Sequence, residues 1–348
     1  MQHWKEGGHD QLCKKIKKAG GAEQHNANIK YTEAVTVAAE ACADDTKGQT
    51  CYICTQALHW KTKEGLVRMC ACRGTAGFAH VSCLAEQAKI SVAEALENNL
   101  DGERWSSRWA RWYSCSLCEQ EYHGAVECAL GWACWKTYLG RPEKDPLRWV
   151  AMSTLGNGLS DANHHDDALS VQLAELAMLR RIGVSESNML NVQSNLARSY
   201  DCLGRDEPSL HLRRGVYYGH LRLQGEEHRS TLEAASNYAF SLLNLKRFEE
   251  AKSLMRKTMP IARRVLGESH HLTLRIRWHY AAALYEDTGA TLDDVREAAT
   301  TLTEIEGTAR RLLGGSHPHT GGIEDTLREA RAALGAREAS ARLGALAL

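Results

Sequence analysis

Residues 70–83 read "CACRGTAGFAHVSC", and the spacing of their ligand-type side chains decides the fold of the first half of the chain. Two cysteines stand one residue apart, a histidine follows after seven residues, and another cysteine after two more. Flanking pairs extend the pattern, with Cys51-x2-Cys54 upstream and Cys115-x2-Cys118 downstream. The ordered set is Cys51, Cys54, Cys70, Cys72, His80, Cys83, Cys115 and Cys118. Structural zinc takes four nitrogen or sulfur donors in a closed tetrahedron, and a short C-x2-C turn lets two thiolates reach one ion without strain. Eight donors in four pairs therefore imply two ions. Neighbouring pairs could share an ion, or alternate pairs could cross, and spacing alone does not choose.

The remaining cysteines support a metal block rather than a disulfide framework. Nine of the twelve fall between Cys51 and Cys134, and from Trp135 onward the sole cysteine is Cys202. The first residues, "MQHWKEGGHD", are polar and charged, unlike a secretory signal. A cytoplasmic or nuclear chain is therefore expected, and there closely spaced cysteines more often hold metal. Lysine plus arginine balance aspartate plus glutamate at 43 each, and only "KKIKK" at 14–18 concentrates positive charge. Nucleic acid is therefore not an indicated partner. The most apolar stretch, "CALGWACW" at 128–135, is far shorter than the about 20 residues a helix needs to cross a bilayer, so no membrane partner is expected.

The order C-x2-C, C-x-C, seven residues, H-x2-C, C-x2-C is similar to the RING-CH finger, the C4HC3 variant of the RING domain. The resemblance covers residues 51 to about 122 and all eight ligands. A PHD finger shares the ligand order but usually has a wider second pair, a shorter run to the histidine, and a tryptophan where this chain has Tyr113. The RING-CH resemblance implies the crossed arrangement: Cys51, Cys54, His80 and Cys83 on one structural zinc, Cys70, Cys72, Cys115 and Cys118 on the other. It also implies that the domain docks a ubiquitin-charged E2 enzyme, with Ile53 touching the E2 and Leu117 as a second contact. Two positions depart from the family pattern: Ser116 stands where many RING domains have proline, and Gln87 where many RING-CH fingers have a helix tryptophan.

Within this block, Gly74 and Gly77 are expected to bend the bridge between the ions. Arg68, Arg73, Arg108 and Arg111 stand near enough in sequence to offset thiolate charge. The interval from Cys83 to Cys115 is too long for a structureless loop, and the apolar spacing of Leu84, Ala88, Val92, Ala95 and Leu96 predicts a helix over Leu84–Leu100. Ahead of the block, "HWKEGGHDQLC" resembles the end of a MYND finger through His9 and Cys13. The earlier ligands of that finger would precede Met1, so a truncated remnant without a working site is expected. A helix is predicted from Ile29 to Ala43, with Cys42 as a small packed residue rather than a ligand.

The second half repeats. "NLARSYDCLGR" at 195–205 aligns with "NYAFSLLNLKR" at 237–247, and "GEEHRSTL" at 225–232 with "GESHHLTL" at 267–274, both 42 residues apart. "GGSHPHT" at 314–320 is a further copy, displaced by a longer turn after Tyr285. Periods of this size mark stacked helical units, each too small to bury its own apolar face. Pro208 falls at a helix start, Pro260 inside a helix that it should kink. The recurring His228, His270 and His317 are expected to pack in turns rather than bind metal. The unit resembles tetratricopeptide repeats of kinesin-light-chain type, which implies a groove in which Asn195 and Asn237 hydrogen-bond a peptide backbone. In the third repeat His279 takes that place.

The expected architecture is a small cross-braced two-zinc RING-CH domain followed by an all-α tetratricopeptide-repeat solenoid. Its segments are a MYND-like remnant plus helix (1–49), the zinc finger (50–124), a linker (125–147), the repeats (148–334) and a C-terminal tail (335–348). The expected function is a soluble E3 ubiquitin-protein ligase that recruits E2 through the finger and selects substrate through the repeats. The alternative is a non-catalytic zinc-binding adaptor.

Overall fold

The structure, a computed structural model, describes residues 9–313 and 318–346. Fourteen helices and no strand occur among the described residues. They divide into two compact units, with the boundary between Val184 and Ser185.

The first unit opens with helices α1 (His9–Ala19) and α2 (Ala22–Ala41). The cysteine-rich segment follows, held by single antiparallel bridges at Val67–Ala79 and Ser114–Glu121. Inserted in it are α3 (Val81–Glu97), α4 (Gly102–Trp109) and a 3-10 turn at Ala110–Trp112; α5 (Gly124–Tyr138), α6 (Pro146–Asp161) and α7 (His165–Ile182) complete the unit. The helix predicted over Leu84–Leu100 is thus α3, begun earlier because its first turn carries Cys83. The helix predicted over Ile29–Ala43 is α2, one turn and more longer at its start.

The stretch 125–147, expected to be a linker, is instead mostly α5, the central helix of the unit. Val126, Ala129, Leu130 and Cys134 are fully buried on it. One side joins a core with Trp109, Trp112 and Leu155; the other joins the core around the cysteines. A helix buried on both sides has no polar face, so it shows no amphipathic period from which to read it. It crosses α6 with backbones nearly touching: a Cβ on Gly158 would lie 2.7 Å from the Glu127 carbonyl oxygen. The Asp161 carboxylate at the end of α6 accepts the N–H of Gly124 and ties down the start of α5. Helices α6 and α7 fall on the first unit's side of the boundary.

The second unit is a succession of helices: α8 (Glu186–Cys202), α9 (Asp206–Gln224), α10 (Arg229–Asn244), α11 (Phe248–Leu266), α12 (His271–Tyr285), α13 (Leu292–Leu313) and α14 (Pro318–Leu346). Consecutive helices share cores, such as Leu232, Met255, Leu272, Ile276 and Leu302 across α10 to α13. A buried ion pair between Asp201 and Arg213 joins α8 to α9. The recurring histidines do more than fill turns. Nδ1 of His228 accepts the N–H of Ser230 and that of His270 the N–H of Leu272, so each caps the next helix; His317 lies outside the described residues. Helix α11 runs on through Pro260 to Leu266. Residues 335–346, expected to be a tail, continue α14.

Glu175 on α7 is fully buried, with the Ser153 hydroxyl of α6 donating to its carboxylate. Its other carboxylate oxygen has no hydrogen-bond partner among the described residues. Burial raises its pKa to about 8. Between about pH 4.5 and pH 8 the folded chain therefore keeps a proton that the unfolded chain releases, and stability falls as pH rises through that window. Glu175→Gln is expected to stabilise the first unit at pH 7 by up to about 3 kcal/mol and to flatten that decline. Urea unfolding of both proteins at pH 5 and pH 8, followed by tryptophan fluorescence, checks this; parallel pH dependences would refute it.

Candidate metal centre

Two copies of one tight turn begin and end the site. In the first, Cys51 N–H donates to the Gln56 carbonyl at 3.0 Å and Thr55 N–H to the Cys51 carbonyl at 2.8 Å, with Thr55 at φ 62°. In the second, Cys115 N–H donates to Gln120 at 2.9 Å and Glu119 N–H to Cys115 at 3.0 Å, with Glu119 at φ 58°. The sulfur of each leading cysteine accepts backbone N–H groups: Ile53 at 3.4 Å and Cys54 at 3.5 Å for Cys51, Leu117 at 3.4 Å for Cys115. The shared signal in the sequence is a glutamine two residues past each pair, in "CYICTQ" and "CSLCEQ".

Helix α3 supplies the next donors. It starts directly after His80, so the three-residue step to Cys83 sets both on one side of its first turn. His80 Nδ1 lies 3.4 Å from Cys54 Sγ and 3.7 Å from Cys83 Sγ. Its Nε2 faces the Ala57 carbonyl at 3.4 Å, a contact that orients the ring and leaves Nδ1 free to ligate.

The donor atoms of Cys51, Cys54, His80 and Cys83 lie within 4.8 Å of one another, and so do those of Cys70, Cys72, Cys115 and Cys118. The crossed arrangement is therefore the one adopted. Zinc–sulfur bonds of about 2.3 Å and zinc–nitrogen bonds of about 2.0 Å give tetrahedral edges of roughly 3.5–3.8 Å. The 3.7 Å between Cys72 Sγ and Cys115 Sγ, like the His80 distances, fits that frame. Among the described residues these are the two clusters able to hold a metal.

The thiols' acidity points the same way. Burial raises Cys115, but the N–H donors of its turn outweigh that and bring it down to about 7. Cys51 is lowered by the same balance. Burial pushes Cys70 up to about 11, and burial together with neighbouring sulfurs drives Cys72 and Cys83 higher still. A divalent cation is what would ionise Cys70, Cys72 and Cys83, releasing their protons.

The bridge between the clusters bends at the two predicted glycines, Gly74 at φ 62° and Gly77 at φ 85°. Gly77 admits no side chain, since a Cβ there would meet Cys72 Cβ at 2.7 Å. The arginines do less than expected. Arg68 donates to the Gly74 carbonyl at 2.7 Å and covers the Phe78 ring, and Arg108 pairs with Glu94. Arg73 is exposed, and Arg111 reaches a ligand residue only through the Cys115 carbonyl, at 3.3 Å.

Around both clusters runs a core that includes Leu66, Phe78, Val81 and Leu84, and also Val35 and Ala38 of α2 and Val126 and Leu130 of α5. Cys42 packs in it, accepting the Arg68 N–H at 3.4 Å, as expected of a packed residue. Cys13 is an exposed residue of α1, and the His9 side chain lies outside the described residues.

Ile53 and Leu117 occupy equivalent positions at the tips of the two turns, and both are exposed. The departures noted above prove to be linked. The Tyr52 hydroxyl lies 3.0 Å from Ser116 Oγ and donates to Gln87 Oε1 at 3.4 Å, joining both turns to α3.

In the second unit, Asn195 and Asn237 line one cavity of about 220 Å³ with Asn191, His220 and Glu233. Asn237 also borders a cavity of about 780 Å³ whose walls include Phe240, Arg275, Trp278 and His279. His279 is hydrogen-bonded to Ser236 Oγ at 3.2 Å, and burial lowers its pKa to about 3, so it is neutral there.

Comparison with known proteins agrees with both halves. Residues 51–96 match the RING-variant domain, a span that includes six of the eight donors; Cys115 and Cys118 lie beyond it and are assigned by the geometry. Residues 230–293 match the tetratricopeptide repeat. No curated protein matches the sequence. Among solved structures, BtubC (BKLC) from P. vanneervenii is 16% identical with a TM-score of 0.50, covering 60% of this chain and 83% of its own. A putative kinesin light chain with nearly identical TPR-like repeats from Podosopora anserina is 18% identical with a TM-score of 0.44, covering 67% of this chain and 97% of its own. The chain carries a RING-variant domain followed by an all-helical tetratricopeptide-like array, and no described helix is long and apolar enough to cross a membrane.

Elemental analysis of the purified chain is expected to return two zinc ions. Because α2 and α5 share the metal-site core, chelation is expected to melt helices well outside residues 51–122. Circular dichroism during chelator titration checks this; a helix loss no larger than α3 and α4 can account for would refute the shared core.

Proposed function

We propose that this chain is a RING-type E3 ubiquitin-protein ligase. The reading rests on one observation above all: Ile53 and Leu117, the positions that contact E2 in the RING family, stand exposed at the tips of two like turns that Tyr52 and Ser116 tie together. A pair of apolar tips at fixed spacing suits a docking face for a ubiquitin-charged E2. The ligase then contributes no nucleophile. It holds the E2 while a substrate lysine attacks the thioester carbonyl, and the E2 cysteine leaves as the thiol.

Cys51, Cys54, His80 and Cys83 would hold one zinc ion, and Cys70, Cys72, Cys115 and Cys118 the second. Bound by four protein donors each, the ions would supply scaffolding rather than an open position for substrate. What these residues do in the reaction is set the tips' spacing. The repeats would select the protein to be modified, with Asn195 and Asn237 offering side-chain amides to an extended peptide backbone in the cavities they line. The compartment that suits free thiols and ubiquitin transfer is the cytoplasm or nucleus.

A second reading, a non-catalytic adaptor, draws on the polar Gln87 and Ser116, which replace apolar residues of the family pattern. An autoubiquitylation assay with a panel of E2 enzymes separates the two. The ligase reading expects product with at least one E2, reduced about tenfold or more by Ile53→Ala and abolished by Cys51→Ser. Absence of product from every E2, or product indifferent to both substitutions, would favour the adaptor.

A further inference from the structure

Residues 59–64, "HWKTKE", repeat the backbone of the two cysteine turns without cysteines. His59 N–H donates to the Glu64 carbonyl at 3.1 Å, Lys63 N–H to the His59 carbonyl at 2.9 Å, and Lys63 takes φ 61°. The His59 ring does what the leading sulfur does in the other turns: its Nδ1 accepts the N–H of Thr62 at 3.2 Å. The turn therefore closes on itself with no ion.

Both of its ends are anchored. His59 is buried edge-on against the ligand His80, with ring centroids 5.3 Å apart. The Glu64 carboxylate accepts Ser82 N–H at 2.7 Å and Ser82 Oγ–H at 2.9 Å, at the start of α3. What lies between faces water. Trp60 and Leu58, at 68% and 59% exposure, are the most exposed large apolar side chains among the described residues. Lys61 and Lys63 beside them are exposed, and neither has an ion-pair partner among the described residues. Residues 55–63 contain no carboxylate.

A flexible loop can leave a tryptophan in water by chance, but a turn pinned at both ends presents it in one place and loses little freedom when a partner covers it. Tryptophan is among the residues that dominate binding energy at protein interfaces, and adjacent lysines steer an acidic partner into contact. The patch begins two residues beyond Gln56, where the turn that carries Ile53 ends.

We propose that Leu58, Trp60, Lys61 and Lys63 form a second contact for the E2, selecting those E2 enzymes that offer an apolar recess bordered by carboxylates. The proposal rests on the ligase reading. A lipid surface is disfavoured, because anionic membranes select clusters of about four to eight basic residues where this turn has two.

The test uses the full chain and the same E2 panel in direct binding measurements. For an E2 whose binding depends on Ile53, Trp60→Ala is expected to weaken affinity about tenfold or more, with metal content and melting temperature unchanged. Lys61→Glu with Lys63→Glu should slow association and reduce its salt dependence. Ile53-dependent binding that ignores Trp60→Ala overturns this proposal alone and leaves the ligase reading standing. Failure of every E2 to bind overturns both. Trp60-dependent binding to vesicles of about 70% phosphatidylcholine and 30% phosphatidylserine, with E2 affinity untouched, would assign the turn to a lipid surface and overturn the proposal.

Discussion

Sulfur atoms gathered within 4.8 Å of one another repel once ionised, and a protein interior cannot screen several such charges by itself. The backbone lowers the thiol pKa at Cys51 and at Cys115, while burial raises it at Cys83 and Cys72. A cation at the centre would ionise the thiols that burial holds up, and would hold the donors together in place of their protons. The rest of the first unit hangs on those donors: the crossing of the bridge, the start of α3 at His80, and the core that α2 and α5 share with the ligand-bearing segments.

The metal donors point inward, and what the surface presents is a set of short stiff turns with apolar tips. The second unit offers cavity walls. Asn195 and Asn237 sit beside one cavity, and the neutral His279 continues their row beside the next. Both units offer surfaces for other macromolecules, exposed turn tips on the first and cavity walls on the second.

How much of this could be read beforehand depends on the range over which residues act. The eight donors were legible because metal ligation demands particular side chains at short spacings, and a C-x2-C pair or an H-x2-C pair carries its geometry locally. The pairing between them was not legible from spacing, since Cys70 and Cys115 meet through a fold rather than a motif. The repeats showed as a period, and their capping role for His228 and His270 emerged only when the helix starts were seen. The largest miss was α5. A helix with Val126 and Ala129 on one core and Cys134 and Tyr138 on another has no outer face, so its sequence lost the alternation by which helices are recognised. Ser116 and Gln87 looked like lost family contacts, whereas each is a partner of Tyr52.

The crossing also sets an order of assembly during synthesis. A ribosome releases the chain from its N-terminus, and domains begin to fold as they emerge. All four donors of the first cluster are present once Cys83 has appeared, whereas the second must wait for Cys118. In that interval Cys70 and Cys72 are without the pair that shares their cluster, while the four donors of the first are all available. The thread that makes the scaffold rigid when finished thus leaves two thiols unclaimed partway through its making, at the moment when a wrong ion or an oxidant would find them.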